Sequence, residues 1–153
     1  AERFAQKLGG YYRFLHLPDG LSGAAADELA RLPQVREPLE LVRHADVFLY
    51  GVGRAMELAQ RRGLSASERD RLAQEGAVAE ALGFYINAQG RVVGGGSSLA
   101  IRPEDIGRKN RAAAVAAGRA KAEAILAVCA HHPHKLLVTD EGAALRMMEL
   151  LRA

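Results

Sequence analysis

The stretch Ala114–Ala124, with the sequence AVAAGRAKAEA, joins an apolar run to an alanine-rich helix through Gly118. A strand that ends at a glycine and leads into a helix presents free backbone N–H groups at the helix start, where the helix dipole favours an anion. Arg119 and Lys121 add positive charge at the same point. The pattern is typical of a phosphate-binding turn. An ordinary turn with two solvated cations also explains it, and this stretch alone favours that simpler interpretation.

The composition is that of an ordinary globular protein. A chain of 153 residues is most simply one domain, here residues 1–153, with a core of its own. Hydrophobic residues make up 49% of the chain and charged residues 25%. The net charge is only +3, because 21 basic residues are interspersed with 18 acidic ones. This balance is too mixed to indicate nucleic-acid binding through this segment.

Cysteine use and hydropathy favour a cytoplasmic location away from any membrane. Cys129 is the one cysteine of the chain, so no intramolecular disulfide can form and a reducing compartment fits best. No apolar run reaches the length of a membrane span, and Glu2 and Arg3 interrupt any signal-peptide pattern. Ala1–Leu8 has the pattern of a helix end without a capping residue before it, which predicts a chain cut from a longer protein.

Three short apolar runs predict parallel strands, each followed by a helix. The runs are Asp46–Tyr50, Ala112–Ala117 and Leu136–Thr139. The helices that follow them are predicted over Arg54–Arg62, over Arg119–His131 and from Asp140 onward. Alternation of strand and helix indicates an α/β fold, specifically a three-layer, open and mostly parallel sheet with helices on both faces.

The middle of the chain is predicted to hold a capped helix and a hairpin. Ser65 and Glu68 have the spacing of a capping box. Leu82–Ile86 and Arg91–Val93 are predicted to form the two strands of a hairpin. The following Gly94–Ser98 resembles a flexible linker.

Gly51-Val52-Gly53 lies where a dinucleotide-binding fingerprint would begin, after a strand and before a helix. Met56 replaces the third glycine, and no acidic residue ends a second strand at the expected distance. A nicotinamide or flavin site is therefore not expected, and no cofactor is predicted. Gly51 and Gly53 would still let the backbone approach a ligand closely, and a tight turn without a ligand explains them equally well.

Other polar residues suggest binding more than catalysis. Arg61 and Arg62 end a predicted helix, where solvated partners of the helix dipole are common. Glu80 lies between apolar residues, so its carboxylate either faces solvent or accepts hydrogen bonds in a pocket. The histidines of 131–134 lack a cysteine or carboxylate at ligand spacing, so no metal site is predicted. No nucleophile with suitable partners is found, so no catalytic residue is assigned.

Six segments, in order and with few gaps, resemble the sugar-binding domain of SorC-type bacterial transcriptional regulators. The resemblance covers almost the whole chain. The segments are Tyr12–Pro18, Gly51–Gly53, Met56–Arg62, Ala77–Tyr85, Ala117–Ile125 and Leu137–Ala144. No single motif is decisive, but their order and spacing are specific.

The resemblance implies a fold related to glucosamine-6-phosphate deaminase and ribose-5-phosphate isomerase, without their catalytic activity. It implies a domain that binds a phosphorylated sugar, such as fructose 1,6-bisphosphate, and controls an N-terminal helix-turn-helix that holds operator DNA. Such regulators are homo-oligomers, here expected to be dimers or tetramers. The family's helix-turn-helix and its glycine- and threonine-rich phosphate loop have no counterpart in this sequence. The chain is therefore predicted to be the C-terminal part of a sensing domain.

The resemblance also implies roles for individual residues. Arg61 and Arg62 would meet one ligand phosphate, Lys121 after Gly118 would meet a phosphate at a helix start, and Glu80 would accept hydrogen bonds from sugar hydroxyls. Three further candidates are Gly51, Gly53 and Arg119. Two alternatives stay open: an isomerase- or deaminase-like enzyme with Glu80 as its base, and an oligomerisation fragment with a vestigial pocket.

Overall fold

The parallel strands predicted from the sequence are present in the computed structural model of this chain. The structure describes residues 2–15, 17, 23–96, 99, 101–106, 111–131 and 136–152. These residues fall into two units, one of residues 1–45 with 97–99 and one of residues 46–96 with 100–153. We call them the N-terminal unit and the sheet unit and describe each by itself.

The N-terminal unit is helical. Its helices are α1 (Glu2–Lys7), α2 (Gly23–Arg31) and α3 (Pro33–His44). Pro33 occupies the first turn of α3, where its missing N–H costs nothing. Ala26 of α2 packs with Val35 and Leu39 of α3 in a small apolar cluster, which shows why the two amphipathic helices associate.

The sheet unit contains seven strands and five α-helices among its described residues. In chain order they are β1 (Val47–Gly51), β2 (Gly53–Arg54), α4 (Ala55–Arg61), α5 (Ala66–Gln74), β3 (Ala77–Ala81), β4 (Phe84–Asn87), β5 (Val92–Gly95), α6 (Pro103–Ile106), β6 (Arg111–Val115), α7 (Ala122–His131), β7 (Leu136–Val138) and α8 (Glu141–Leu150). A 3₁₀ turn, Arg119–Lys121, precedes α7. No helix of the described residues is long and apolar enough to cross a membrane.

Strands β1, β6 and β7 form a parallel sheet with β6 in the middle. Gly51 pairs with Val115, and Val115 pairs with Val138, so the three strands end at the same edge. One hydrophobic cluster joins Tyr50 and Ala114 of this sheet to buried side chains of α7, including Ile125. The predicted α/β class, with a parallel sheet and helices, is confirmed.

A second, antiparallel sheet has the order β2-β3-β4-β5. The predicted hairpin is present as β4 and β5, each shifted by one or two residues from its predicted bounds. The linker prediction for Gly94–Ser98 is wrong for its first two residues, because Gly94 and Gly95 pair with Tyr85 and Phe84. Residues 97 and 98 lie outside the described part of the chain.

Strand β3 was not predicted, and its composition explains why. The sequence of Ala77–Ala81, AVAEA, is rich in a residue that favours helices and lacks the alternation typical of a half-buried strand. In the fold, β3 lies between β2 and β4 and its alanines are buried. Close packing of α4 and α7 against β3 suits small side chains, so tertiary contacts override the local helix propensity.

Two predicted helix starts are confirmed in detail. The Ser65 hydroxyl accepts a hydrogen bond from the Glu68 N–H, and the Glu68 carboxylate accepts one from the Ser65 N–H, which completes the capping box of α5. Asp140 caps α8 by accepting a hydrogen bond from the Ala143 N–H.

Candidate functional site

The carboxyl edge of the parallel sheet brings Gly118 and Asp140 together. The Gly118 N–H donates to Oδ2 of Asp140 at 2.9 Å, while Oδ1 of Asp140 accepts from the Ala143 N–H at 2.8 Å. Gly118 has φ +104, a conformation that L side chains rarely adopt. The anion bound by the glycine N–H is therefore the chain's own carboxylate. The sequence predicted a helix that starts at Asp140, but it did not predict this contact with Gly118.

Arg119 and Lys121 differ in whether their charge is paired within the chain. Nη2 of Arg119 donates to both carboxylate oxygens of Glu149 at 2.9 and 2.7 Å. Arg146 donates to the same carboxylate at 2.8 Å. Among the described residues, the Lys121 ammonium makes no ion pair or hydrogen bond, and this side chain is partly buried. Lys121 is thus available to a ligand, whereas Arg119 is held by α8.

Removal of the Arg119 guanidinium is expected to raise the pKa of the Glu149 carboxyl. Hydrogen bonds from Arg146 and then from Arg119 hold this pKa below its usual value. Because the pKa is lowered in the folded state, the contribution of these contacts to stability is present above the ordinary glutamate range and is lost as the pH falls through the lowered pKa. Carboxyl titration by NMR should show a higher Glu149 pKa in Arg119→Gln and in Arg146→Gln. An unchanged pKa in both variants would contradict the observed contacts.

Glu80 and Arg62 form an ion pair at the end of β3. The Arg62 Nη2 atom lies 2.9 Å from Oε1 of Glu80, whose side chain is only 6% exposed, against 32% for Arg62. The Gly83 N–H donates to the same Oε1 at 2.6 Å. Of the two possibilities left open by the sequence, Glu80 is therefore the buried hydrogen-bond acceptor and not a solvent-facing group.

A tight turn, Leu82-Gly83, supplies the Gly83 N–H. Leu82 has φ +57 and Gly83 has φ +86, the two positive values that a two-residue hairpin loop of type I′ requires. A Cβ atom at Gly83 would lie 3.5 Å from Nη1 of Arg62, so the guanidinium lies against this turn. Sequence reasoning missed this role of Gly83. The signal was a glycine between two short apolar segments.

The remaining candidates lie on the elements around Glu80. Gly53 in β2 pairs with Glu80 in β3, and a Cβ atom at Gly53 would lie 2.2 Å from Cδ1 of Leu58. A side chain at Gly53 would displace the Leu58 side chain, so the packing of α4 favours glycine here whether or not a ligand binds. Gly51 ends β1 at the edge shared with β6. Arg61 is exposed, and its guanidinium makes no ion pair or hydrogen bond within the described ranges.

The structure thus arranges the candidates in two groups. One contains Gly53, Arg62 and Glu80 around the β3–β4 turn, with Arg61 next in the chain. The other contains Gly118, Arg119 and Lys121 at the carboxyl edge of the parallel sheet, the edge at which Gly51 also ends β1. Within the part of the chain that the structure describes, no group of three or more histidine, cysteine or acidic side chains could hold a metal ion.

Comparison with known proteins identifies the family. The model of the family described as "Putative sugar-binding domain" matches residues 1–149. The chain is 38% identical over 144 residues to the central glycolytic genes regulator of Bacillus subtilis, and 36% identical over 142 residues to that of Priestia megaterium. These alignments cover 94% and 93% of this chain but only 42% of each relative.

A solved structure agrees with the sequence relatives. A protein from Enterococcus faecalis described as a "putative SorC family transcriptional regulator" superposes with a TM-score of 0.84 at 34% identity. The superposition covers 94% of this chain and 59% of that one. The chain belongs to the sugar-binding domain family of SorC-type bacterial transcriptional regulators.

Proposed function

We propose that this chain is the C-terminal part of a single effector-binding domain that senses a phosphorylated sugar. The observation that carries the proposal is that two cations, Arg61 and Lys121, have no ion-pair partner among the described residues. Arg61 is next in the chain to one candidate group of the site, and Lys121 belongs to the other. Phosphate oxygens form strong, charge-assisted hydrogen bonds with such cations.

The ligand we propose is a sugar bisphosphate of the fructose 1,6-bisphosphate type. Two separate cations suit a ligand with an anionic group at each end, and the buried Glu80 carboxylate suits the hydroxyl donors between them. The name of the two relatives from Bacillus subtilis and Priestia megaterium, central glycolytic genes regulator, is compatible with a glycolytic sugar phosphate.

The whole protein is proposed to act as a cytoplasmic homo-oligomer on operator DNA. DNA contact would come from an N-terminal helix-turn-helix. Its place would be in the part of the relatives' length that this chain does not cover. A ligand that binds one conformation of the domain more tightly than another would shift the equilibrium between DNA-binding states. We propose no catalytic role, because the base of an isomerase-like reaction would have to be Glu80, which is already held by Arg62.

Thermal unfolding of the full-length protein tests this function. Fructose 1,6-bisphosphate at about 100 times its Kd should stabilise the native state by about 2.7 kcal/mol and raise Tm by roughly 5 °C. Fructose should leave Tm unchanged, because it lacks the phosphates that Arg61 and Lys121 would bind. Absence of a shift with every sugar phosphate would overturn the proposal. Turnover of a sugar phosphate in a coupled assay would favour the enzyme alternative.

A further inference from the structure

We propose that Arg62 is a positioning residue, which orients Glu80 toward a sugar hydroxyl and does not itself bind a ligand phosphate. This inference rests on the proposed function and assigns different roles to two adjacent arginines. Arg61 would contact the ligand, and Arg62 would act through Glu80.

The first step is the asymmetry between the two oxygens of Glu80. Oε1 receives both Nη2 of Arg62, at 2.9 Å, and the Gly83 N–H, at 2.6 Å. Within the described ranges, Oε2 accepts no hydrogen bond from the protein. A nearly buried carboxylate is more stable when donors reach both of its oxygens. A sugar hydroxyl is a neutral donor of the right kind for the second.

The second step is the rigidity of this arrangement. Arg62 and the Gly83 N–H meet Glu80 from two separate elements, the end of α4 and the β3–β4 turn. The positive φ values of Leu82 and Gly83 define the turn, so the direction of the Gly83 N–H is set by the backbone. With Oε1 held by two donors, the orientation of Oε2 is fixed before any ligand arrives.

The third step is that the charge of Arg62 is paired, whereas the charge of Arg61 is unpaired among the described residues. The charge of Arg62 is matched by a carboxylate whose side chain is 6% exposed. Turning Arg62 toward a phosphate would leave that buried carboxylate without its counter-charge, which is strongly unfavourable. Arg61 carries no such cost, because its exposed guanidinium has no ion-pair partner in the described part of the chain.

A double-mutant cycle on the full-length protein tests the inference with two probes. The probes are fructose 1,6-bisphosphate and hexane-1,6-diol bisphosphate, which keeps both phosphates and lacks the sugar hydroxyls. Arg62→Gln and Glu80→Gln should each weaken binding of the sugar bisphosphate about tenfold, and the double variant no further, because both changes remove one interaction. Binding of the hydroxyl-free probe should change less than about twofold in all three variants.

Matched controls separate positioning from general damage. Arg61→Gln should weaken the binding of both probes. Its effect on the binding free energy of the sugar bisphosphate should add to that of Arg62→Gln. Arg71→Gln, which breaks an exposed ion pair with Glu75, should alter the affinity for neither probe. Arg62→Lys, which keeps the charge, should restore part of the sugar bisphosphate affinity, and it replaces Arg62→Gln if that variant does not fold.

Two results would overturn the inference while leaving the proposed function intact. One is an equal loss of affinity for both probes in Arg62→Gln, which would make Arg62 a phosphate contact or a purely structural residue. The other is additivity of Arg62→Gln and Glu80→Gln. Failure of the unsubstituted protein to bind either bisphosphate would instead overturn the proposed function, and this inference with it.

Discussion

Replacement of Gly95 by alanine is expected to lower the free energy of unfolding by about 3 kcal/mol. Gly95 has φ +77, and a Cβ atom there would lie 2.2 Å from the carbonyl oxygen of Gly83 and 2.9 Å from Cδ2 of Tyr85. The carbonyl of Gly83 cannot move aside freely, because it accepts a hydrogen bond from the Gly96 N–H at 2.7 Å. Alanine at this position is therefore destabilised twice, by its left-handed backbone conformation and by the steric overlap of its methyl group.

Gly63 offers a matched control for this substitution. It has a similar φ of +71, but a Cβ atom there would meet nothing within 4 Å. Gly63→Ala should therefore show only the backbone penalty, about 1 kcal/mol. Urea unfolding of both variants measures the difference. Equal losses in the two variants would mean that the close approach of β5 to the β3–β4 turn does not exist in solution.

Gly95→Ala is also expected to disturb the candidate site. The same Gly83 whose carbonyl faces Gly95 donates its N–H to Glu80. The Gly83 carbonyl and N–H belong to adjacent peptide groups joined at the Gly83 Cα, so displacement of Gly83 would also move the donor that helps to hold Oε1. Sugar bisphosphate binding should therefore weaken in Gly95→Ala and stay unchanged in Gly63→Ala.

Combined replacement of Arg61 and Lys121 by alanine is expected to abolish the thermal shift with fructose 1,6-bisphosphate. Hydrogen bonds to charged groups contribute about 1.5–3 kcal/mol each, so each loss should weaken binding roughly tenfold to a hundredfold. The two losses should nearly add if the residues bind phosphates at opposite ends of the ligand. Isothermal titration of the single and double variants measures this directly.

Arg91→Ala is the appropriate control for this pair. Arg91 is also exposed, and its side chain makes no ion pair within the described residues. Its removal lowers the net charge without touching either candidate group. Equal weakening by Arg91→Ala would show that ligand binding follows overall charge and not the two predicted contacts. Retention of full affinity by the double variant would place the phosphates elsewhere.

Local patterns predicted much of the fold correctly because they are encoded over a few neighbouring residues. The apolar run before Gly51 and the run before Gly118 predicted β1 and β6, and the spacing of Ser65 and Glu68 predicted a capping box. Strand β3 was not predicted, and the linker prediction was wrong for its first two residues. Their alanines and glycines form strands only because neighbouring backbone and helices lie close to them.

By itself, the sequence determined the α/β class, the parallel strands and the family. These follow from hydrophobic runs, turn residues and motif order, which survive without knowledge of distances. Only the tertiary structure decided which polar groups are already occupied. The contacts of Gly118 with Asp140 and of Arg119 with Glu149 join residues 22 and 30 positions apart.

The stretch Ala114–Ala124 shows the difference most clearly. Its glycine, arginine and lysine looked equivalent as parts of one phosphate-binding turn. In the fold, Gly118 and Arg119 bind carboxylates of the chain, and Lys121 keeps its charge unpaired among the described residues. Pairing of charges depends on separations of a few ångströms between distant segments, and no local pattern specifies those separations.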